Sequence, residues 1–311
     1  MEKINVAFAA DNNYAQHVAV AMASVIKNIK SKNSLRFFLL SDGIENTLLN
    51  RIKETVSRLH AELVIIDLSK VLDFEKVYTS DHISRAAYFR LALPDILPSN
   101  VTKIIYLDTD LLVLDDITKL WEMNLEGMPL AAVPDYGIIA SNRSMKEKQK
   151  TIGLPKGADY FNSGVMVIDV SKWRKYGYAQ AVADVVAKHK LRHHDQDALN
   201  WVFVGKWKKL PLSWNVIPPV MQLLPKILFH EKFRKNALAA RKSISILHYA
   251  GRCKPWDFAR AKGFNELYYD DLALTAFAKE PMPKAGADAK GKSLFRQRFK
   301  IKLADYISCI L

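Results

Sequence analysis

Predominantly apolar runs alternate with amphipathic stretches along the first part of the chain. Apolar runs cover 4–9, 35–40 and 63–66, a pattern typical of buried strands. Between these runs, apolar residues recur at helical spacing over 14–29 and 45–59, which predicts two helices. The order strand, helix, strand, helix, strand predicts an α/β fold with a parallel, doubly wound sheet.

Four further apolar runs each lead into a polar residue. The runs cover 104–107, 130–133, 165–168 and 244–247, and the polar residues that follow them are Asp108, Asp135, Asp169 and His248. In open α/β sheets, ligands bind beyond the carboxyl ends of the strands, so Asp108, Asp135 and His248 become candidates for a binding site. Asp169 is the weaker candidate, because Asp169-Val170-Ser171-Lys172 can equally begin a helix.

The clearest local motif is the pair of carboxylates in Asp108-Thr109-Asp110. Residues two apart on an extended segment project to the same side, and two carboxylates so placed repel each other unless a cation lies between them. Oxygen ligands of this kind suit Mg²⁺ or Mn²⁺ that also binds a diphosphate. For the motif taken alone, a solvated acidic turn remains the alternative.

His248 adds a nitrogen ligand to this candidate site, and Gly251 and Lys254 follow it closely. An imidazole beside two carboxylates shifts the preference from Mg²⁺ toward Mn²⁺. Gly251 would let the backbone approach a phosphate closely, and Lys254 would supply a compact positive charge for a diphosphate. The alternative for a lone histidine is a capping or core position.

A second polar cluster, His193-His194-Asp195-Gln196-Asp197, invites a zinc interpretation. Adjacent histidines on an extended segment point in opposite directions, and no second cluster has the spacing of zinc ligands, so we do not predict zinc. Gln196 and Asp197 precede the apolar run 199–204. Helix N-capping is therefore the alternative function for an aspartate in this position.

The composition adds a large positive charge to an otherwise ordinary globular pattern. The chain has 46 Lys and Arg against 32 Asp and Glu, a net charge of +14 that suits nucleic acid, acidic lipid or a phosphorylated substrate. Its two cysteines, Cys253 and Cys309, do not form a disulfide framework and favour a reducing compartment. No signal-peptide pattern and no membrane-spanning apolar run is present, so we expect a cytoplasmic protein.

Taken together, these motifs resemble glycosyltransferase family 8, and within it the bacterial lipopolysaccharide and lipooligosaccharide α-galactosyl- and α-glucosyltransferases. The resemblance extends over about residues 4–257. The motifs that carry it are Phe8-Ala9-Ala10-Asp11-Asn12-Asn13-Tyr14, Tyr88-Phe89-Arg90-Leu91, Tyr106-Leu107-Asp108-Thr109-Asp110, Tyr160-Phe161-Asn162-Ser163-Gly164-Val165, Asp195-Gln196-Asp197-Ala198-Leu199-Asn200 and His248-Tyr249-Ala250-Gly251-Arg252-Cys253-Lys254-Pro255-Trp256. It implies a GT-A type fold with a mostly parallel, doubly wound sheet and a small C-terminal helical tail.

The resemblance also implies a reaction, in which a hexose moves from UDP-galactose or UDP-glucose to a saccharide acceptor such as the lipopolysaccharide core, with retention of anomeric configuration. The implied ligands of Mn²⁺, or alternatively Mg²⁺, are Asp108, Asp110 and His248. The implied substrate-binding residues are Ala9, Asp11, Asn13, Tyr14, Arg90, Asp108, Thr109, Asn162, Asp195, Gln196, Gly251 and Lys254. The implied catalytic residues are Asp135, Gln196 and Asp197, with Gln196 or Asp197 facing the donor from the side opposite the leaving group.

Two details accompany these implied roles. Cys253 lies directly before Lys254, so we expect a reactive thiol beside the phosphates, with a buried and unreactive thiol as the alternative. The segment 212–224 contains Trp214, Pro218, Pro219 and Met221, and we expect it to form an apolar wall for the acceptor.

The C-terminal segment differs from the rest of the chain, which divides it into a catalytic domain, 1–280, and a linker with a tail, 281–311. Residues 281–292 have the composition of a linker, and from Lys284 onward there are seven Lys or Arg and two Asp. In enzymes of the resembled family, a basic, aromatic-rich C-terminus lies against the inner membrane. We therefore expect 294–311 to bind its anionic cytoplasmic face, with a helix packed on its own domain as the alternative.

Two other functions stay open at this stage. A Mg²⁺-dependent phosphatase of the haloacid-dehalogenase type also places Asp-x-Asp after a strand, although that family expects Thr or Val where Leu112 stands. A basic, non-enzymatic nucleic-acid-binding protein would account for the charge. No recognised nucleic-acid motif appears, however, and part of the charge lies in the tail, so we do not expect nucleic acid as a partner.

Overall fold

The computed structural model describes residues 3–30, 35–68, 85–251, 254–257, 264–279, 300 and 302–303. Within them the strands are β1 (Ile4–Ala10), β2 (Leu35–Ser41), β3 (Glu62–Asp67), β4 (Lys103–Leu107), β5 (Leu111–Val113), β6 (Leu130–Pro134), β7 (Phe161–Asp169), β8 (Trp207–Lys209) and β9 (Ile246–His248). The α-helices are Ala15–Asn28, Asn46–Arg58, Arg85–Ile96, Thr118–Trp121, Tyr136–Ile139, Asn142–Ile152, Val170–Tyr176, Tyr178–Lys188, His194–Val202, Pro218–Met221, Pro225–Leu228, Glu231–Lys242 and Phe264–Leu272. The 3-10 helices are Asn12–Tyr14, Leu212–Asn215 and Pro255–Asp257.

Seven strands form one sheet in the order β3-β2-β1-β4-β7-β6-β8. Strands β1 to β4 are parallel, β8 is parallel to β6, and β7 runs antiparallel to both of its neighbours. The predicted α/β fold with a mostly parallel, doubly wound sheet is therefore confirmed, with β7 as the exception. The apolar run 165–168 indicates a buried strand but carries no information about its direction.

Both faces of the sheet are buried, and this explains why the strands read as apolar runs rather than as alternating patterns. Val6 and Phe8 of β1 enter one hydrophobic core together with the helix Ala15–Asn28. Ala7 and Ala9 of the same strand enter the core on the other face of the sheet. Successive side chains of a strand point to opposite faces, so a strand covered on both sides needs apolar residues at nearly every position.

The antiparallel direction of β7 separates Asp169 from the other polar residues at the strand ends. Asp169 pairs with Lys103 at the beginning of β4, whereas Asp108 follows the end of β4. The Asp169 carboxylate accepts a hydrogen bond of 2.8 Å from the backbone N–H of Lys172 and caps the helix Val170–Tyr176. The alternative interpretation of Asp169 as a helix N-cap is confirmed.

A second, two-stranded sheet lies beyond the end of β4 and joins distant parts of the chain. Strand β5, which was not predicted, pairs antiparallel with β9, and Leu111 lies opposite His248. The prediction that His248 follows its strand is corrected, because His248 is the last residue of β9 itself. This register brings His248 beside Asp110, which is 138 residues away in the sequence.

Two expectations concern parts of the chain that are not described. Cys253, the linker 281–292 and nearly all of the tail 294–311 lie outside the described residues, and the described tail residues Lys300, Lys302 and Leu303 are helical. Among the described helices, none combines the length and the apolar character that a membrane span requires.

Arg174 fastens the helix Arg85–Ile96 and the turn after it to the helix Val170–Tyr176. Its guanidinium donates hydrogen bonds to the carbonyl oxygens of Pro94, Leu97, Pro98, Ser99 and Val101, at distances from 2.6 to 3.2 Å. Carbonyls at the end of a helix have no partner within it, and this single side chain satisfies that of Pro94 together with four carbonyls of the turn that follows. The planar guanidinium offers five N–H groups in a fixed arrangement that a lysine ammonium cannot reproduce.

We predict that Arg174→Lys lowers the free energy of unfolding by about 2 kcal/mol, because several partly buried carbonyls lose their donor. Urea unfolding followed by circular dichroism measures this change. Arg192→Lys is the matched control, since Arg192 is exposed and, among the described residues, pairs only with the carboxylate of Glu147. We expect the control to change stability by less than about 0.5 kcal/mol. Equal stability of the two variants would contradict the structural role given to Arg174.

Candidate active site

Three side chains that can hold a divalent cation meet beyond the end of β4. Asp108, Asp110 and His248 each place one ligand atom within 4.8 Å of the other two, and we call these residues the ligand cluster. The Nε2 atom of His248 lies 3.1 Å from Oδ1 of Asp110 and 3.9 Å from Oδ2 of Asp108. His248 is buried and the two aspartates are half-buried. The structure thus brings together the two residues of the carboxylate motif and the distant histidine.

Gly164 of β7 packs directly against the ligand cluster. A Cβ atom at this position would lie 2.4 Å from Cε1 of His248 and 2.7 Å from Oδ2 of Asp108. The carbonyl oxygen of Gly164 also accepts a 2.8 Å hydrogen bond from the backbone N–H of Asp108. Only glycine leaves room for both side chains here, and two carboxylates with one imidazole form a donor set that suits a divalent cation.

Arg90 holds Asp108 and connects it to the helix His194–Val202. Its Nη2 lies 3.0 Å from Oδ1 of Asp108 and its Nε lies 3.1 Å from Oδ2 of Asp195, while Nη1 donates to the carbonyl oxygen of Ser163 at 3.0 Å. Burial alone lowers the pKa of Arg90, but Asp108 and Asp195 together raise it above its ordinary value, so the guanidinium stays charged. Burial raises the pKa of Asp195, against the influence of Arg90.

Lys254 contacts one carboxylate oxygen of Asp110, and His248 contacts the other. Its ammonium contacts the Asp110 carboxylate and donates a 2.9 Å hydrogen bond to the carbonyl oxygen of Tyr249. Burial alone would raise the pKa of Asp110, but His248 and Lys254 together hold it well below its ordinary value. The Asp110 carboxylate is therefore ionised. An ammonium in this position can also stabilise the negative charge of a diphosphate.

Asn215 orients His248, although it was not predicted as a site residue. Its Oδ1 lies 2.9 Å from Nδ1 of His248, so a proton on Nδ1 leaves the lone pair of Nε2 facing the two aspartates. Its Nδ2 donates a 2.8 Å hydrogen bond to Oδ1 of Asn162. Both asparagines are buried. The only sign of Asn215 in the sequence is an amide within the mostly apolar segment 212–224.

The hydrogen bonds continue from Asn215 to the helix His194–Val202. Asn162 and Gln196 donate to the same carboxylate oxygen of Asp135, at 3.3 and 3.2 Å. The Gln196 Oε1 atom accepts a 3.1 Å hydrogen bond from the backbone N–H of Ser163. A continuous chain of side chains therefore links the ligand cluster to Asp135 and Gln196, and fixes the direction in which each amide points.

Asp197 lies behind Gln196 and has three partners of its own. Its carboxylate lies 2.8 Å from Nζ of Lys148 and accepts hydrogen bonds from the Tyr160 hydroxyl at 2.6 Å and the His193 backbone N–H at 2.9 Å. Burial alone raises the pKa of Asp197, but Lys148 and Tyr160 lower it. Gln196 donates to the Tyr160 hydroxyl at 3.3 Å. This arrangement favours Gln196 over Asp197 as the residue that faces a donor sugar.

Tyr14, one of the residues predicted for the nucleotide, is linked to Lys254, predicted for the diphosphate, through the ring of Trp256. The Asp11 carboxylate accepts a 3.1 Å hydrogen bond from the backbone N–H of Tyr14, and Asn13 is exposed next to it. The Tyr14 ring packs edge-on against Trp256, with centroids 6.1 Å apart, and His17 stacks on the same indole at 3.5 Å. Burial lowers the pKa of His17 to about 3, so this imidazole stays neutral.

Three further predicted residues have simple positions in the fold. Ala9 is buried near the end of β1, and Thr109 is half-buried between the two aspartates of the ligand cluster. Gly251 lies shortly after the end of β9 at His248. Its φ of 95° is a conformation that strongly favours glycine.

The expectation that 212–224 forms an apolar wall for an acceptor is wrong for two of its residues. Trp214 and Met221 are only 4% and 3% exposed and belong to the hydrophobic core. Pro218 and Pro219 are half-buried and keep some accessible surface. Large apolar side chains next to a site pack inward when the core has room for them, and the sequence pattern does not distinguish the two cases.

Comparison with known proteins agrees with this geometry. The model of the family described as glycosyl transferase family 8 matches residues 5–259. The lipopolysaccharide 1,2-glucosyltransferase of Escherichia coli K12 is 29% identical, over 100% of this chain and 89% of its own length. General stress protein A of Bacillus subtilis is 30% identical, over 88% of this chain and 94% of its own length.

Two solved structures share the fold. The galactosyltransferase LgtC, in complex with donor and acceptor sugar analogues, has a TM-score of 0.74 at 27% identity and covers 88% of this chain and 96% of its own. The bifunctional glycosyltransferase WbbM, in its apo form, has a TM-score of 0.79 at 25% identity over 90% of this chain. The chain spans about half, 51%, of the WbbM chain.

We predict that Asn215→Ala weakens the binding of Mn²⁺ about 10- to 100-fold, because His248 loses the partner that fixes its orientation. Electron paramagnetic resonance of free Mn²⁺ during a titration gives the dissociation constant directly. Asn50→Ala, an exposed position of the helix Asn46–Arg58, is the control and should bind Mn²⁺ like the unmodified chain. Unchanged affinity in Asn215→Ala would show that His248 does not need this hydrogen bond.

Proposed function

The chain belongs to glycosyl transferase family 8 and is a hexosyltransferase, and from this premise we propose that it transfers galactose or glucose from a UDP-sugar to a saccharide acceptor with retention of anomeric configuration. The observation that carries the proposal is the position of the ligand cluster. In one direction, Asp110 contacts Lys254, which lies by the Trp256 ring that packs on Tyr14. In the other direction, His248 contacts Asn215, from which hydrogen bonds through Asn162 and Asp135 reach Gln196. A cation held by these three residues would supply positive charge to the diphosphate leaving group.

The proposed cation is Mn²⁺, with Mg²⁺ as the alternative. Asp108, Asp110 and His248 would hold it, since imidazole with carboxylates suits Mn²⁺ better than an all-oxygen set does. When bound, the cation supplies positive charge for the diphosphate leaving group. Lys254 would bind the same diphosphate and stabilise the charge that grows on it as the glycosidic bond breaks, while the backbone of Gly251 would approach its oxygens.

The nucleoside would bind at the end of β1. Asp11 and Asn13 would hydrogen-bond to the uracil and the ribose, and Tyr14 would stack on the base. The aromatic support of Tyr14 by Trp256 favours this position for a planar ring. Ala9 and Thr109 would line the nucleotide side of the site.

The donor hexose would lie along the hydrogen-bonded side chains of Asn162, Asp135 and Gln196. Arg90, Asn162 and Asp195 would orient its hydroxyl groups, and Asp135 would lie near the donor or the acceptor. Gln196 would face the anomeric carbon, where positive charge develops in an oxocarbenium-like transition state. A solved structure of LgtC is described as an active-site mutant in which a glutamine is replaced by glutamate, which supports a glutamine in such a position. Asp197 would act indirectly, by fixing Tyr160 and through it Gln196.

The proposed acceptor is a lipopolysaccharide core saccharide. The full-length similarity to the lipopolysaccharide 1,2-glucosyltransferase of Escherichia coli supports this class. The proposed location is the cytoplasmic face of the inner membrane, which the basic residues of the tail 294–311 would contact. No specific observation on the described residues favours the phosphatase or the nucleic-acid-binding alternative over the transferase.

We predict that the chain releases UDP from UDP-galactose or UDP-glucose in the presence of Mn²⁺, and that Asp108→Asn lowers this rate by about 100-fold or more, because one cation ligand is lost. A coupled assay for UDP over a panel of UDP-sugars measures both effects. Asp184→Asn, an exposed aspartate of the helix Tyr178–Lys188, is the control and should keep full activity. Full activity of Asp108→Asn, or release of inorganic phosphate in place of UDP, would disprove the proposed reaction.

A further inference from the structure

A groove separate from the ligand cluster runs beside the end of β6. It consists of two adjoining cavities of about 490 and 400 Å³, which share Ile139, Asp159 and Phe233 in their walls, and we call it the basic groove. Volumes of this size are typical of sites for small organic ligands. None of the residues assigned above to the donor, the cation or the catalytic step lines either cavity.

The interior of the basic groove combines aromatic and amide groups. The rings of Tyr136 and Phe233 meet edge to face, with centroids 5.1 Å apart. The Asn236 side chain donates a 2.9 Å hydrogen bond to the Tyr136 hydroxyl, which fixes that ring. Asn142 and Gln149 add further amides to the wall of the smaller cavity. Aromatic faces together with amide donors and acceptors are suited to the apolar faces and hydroxyl groups of a saccharide.

The rim of the basic groove is strongly positive. Lys209 and Lys232 line the larger cavity, and Lys146 and Lys156 line the smaller one. Among the described residues that line the two cavities, Asp159 is the only acidic one, and its carboxylate already forms an ion pair with Lys209. In the described part of the chain, Lys146, Lys156 and Lys232 are exposed and no carboxylate pairs with them. These ammonium groups are therefore available to an anionic ligand.

The basic groove and the candidate active site are built on the same two segments. Pro134 and Tyr136 line the groove, whereas Asp135 between them binds Asn162 and Gln196. Leu212 and Ser213 line the groove too, and Asn215 of the same 3-10 helix orients His248. A ligand in the groove would thus lie on the other side of the chain from the reacting sugar, but close to it.

We infer that the basic groove is a second saccharide-binding site, which holds an anionic part of the acceptor away from the sugar that receives the hexose. The ligand class is a saccharide that carries phosphate or carboxylate groups. Tyr136 and Phe233 contact its rings, and Lys146, Lys156 and Lys232 bind its charges. This assignment deepens the proposed function and rests on it, because the acceptor is a saccharide only if the chain is the proposed transferase.

The test measures the binding of one probe in two forms. The probe is deacylated lipopolysaccharide core oligosaccharide, used with its phosphates intact and after treatment with a phosphatase. Isothermal titration without donor gives the dissociation constants for the full chain and for Lys146→Glu/Lys156→Glu/Lys232→Glu. We expect the triple variant to bind the intact probe about tenfold or more weakly. Weaker binding of the unmodified chain after dephosphorylation assigns the contact to phosphate, and unchanged, lysine-dependent binding assigns it to carboxylate.

The control changes the charge in the same direction, by −4 against −6 in the triple variant, and lies beside β2 in the half of the sheet away from the basic groove. Lys30→Glu/Lys53→Glu changes two exposed lysines, one just after the helix Ala15–Asn28 and one within the helix Asn46–Arg58, and it should bind the probe like the unmodified chain. If the triple variant and this control lose the same amount of affinity for the probe, the effect comes from the overall charge of the protein and the inference is overturned. Absence of probe binding by the unmodified chain would overturn it as well, as would loss of anionic-vesicle binding by the triple variant without any change in saccharide affinity.

A kinetic measurement separates this inference from the proposed function. UDP release in the absence of acceptor depends only on the donor site, so the triple variant should keep the rate of the unmodified chain. With the intact probe as acceptor, its KM should rise about tenfold while kcat changes little. If the unmodified chain releases no UDP from any UDP-sugar, the proposed function fails, whereas the binding titration still decides whether the groove takes an anionic saccharide.

Discussion

The geometry of the candidate site depends on the close approach of the β7 backbone to the side chains that follow β4 and end β9. At Gly164 there is no space for a Cβ atom, because His248 and Asp108 occupy it. Antiparallel pairing of β4 with β7 and of β5 with β9 fixes all three positions, so the separation of the ligand atoms is a property of the sheets. Ligands held by strands in this way lose little freedom when a cation binds, and this favours tight binding.

Pairing of opposite charges around the ligand cluster explains why so many ionisable groups can share a partly buried space. Asp108, Asp110 and Asp195 concentrate negative charge, and Arg90 and Lys254 each contact at least one of them. Unpaired buried carboxylates would be costly, and the two cations remove most of that cost. The balance also suits the proposed ligands, since a divalent cation on the aspartates and a diphosphate near Lys254 add charges of opposite sign.

Much of the fold follows from the sequence because both faces of the sheet are buried, so that most strands appear as apolar runs. The strands β5 and β8 have three residues each, too few to show a period, and the direction of β7 depends on its connections. Asp108, Asp110 and His248 could be proposed from residue type and position. Asn215 could not, because its importance comes from a hydrogen bond across the fold. The partners of Asp197 were likewise invisible, since Lys148 looks like an ordinary basic residue of an exposed helix.

The proposed cation site of Asp108, Asp110 and His248 requires the space that Gly164 leaves. The most direct measurement is the Mn²⁺ dissociation constant of Gly164→Ala, determined by electron paramagnetic resonance, with the unfolding temperature as a check that the fold is kept. We expect a folded protein whose Mn²⁺ affinity is reduced about 100-fold or more, because the added methyl group displaces a ligand. A folded Gly164→Ala chain that binds Mn²⁺ as tightly as the unmodified chain would contradict it.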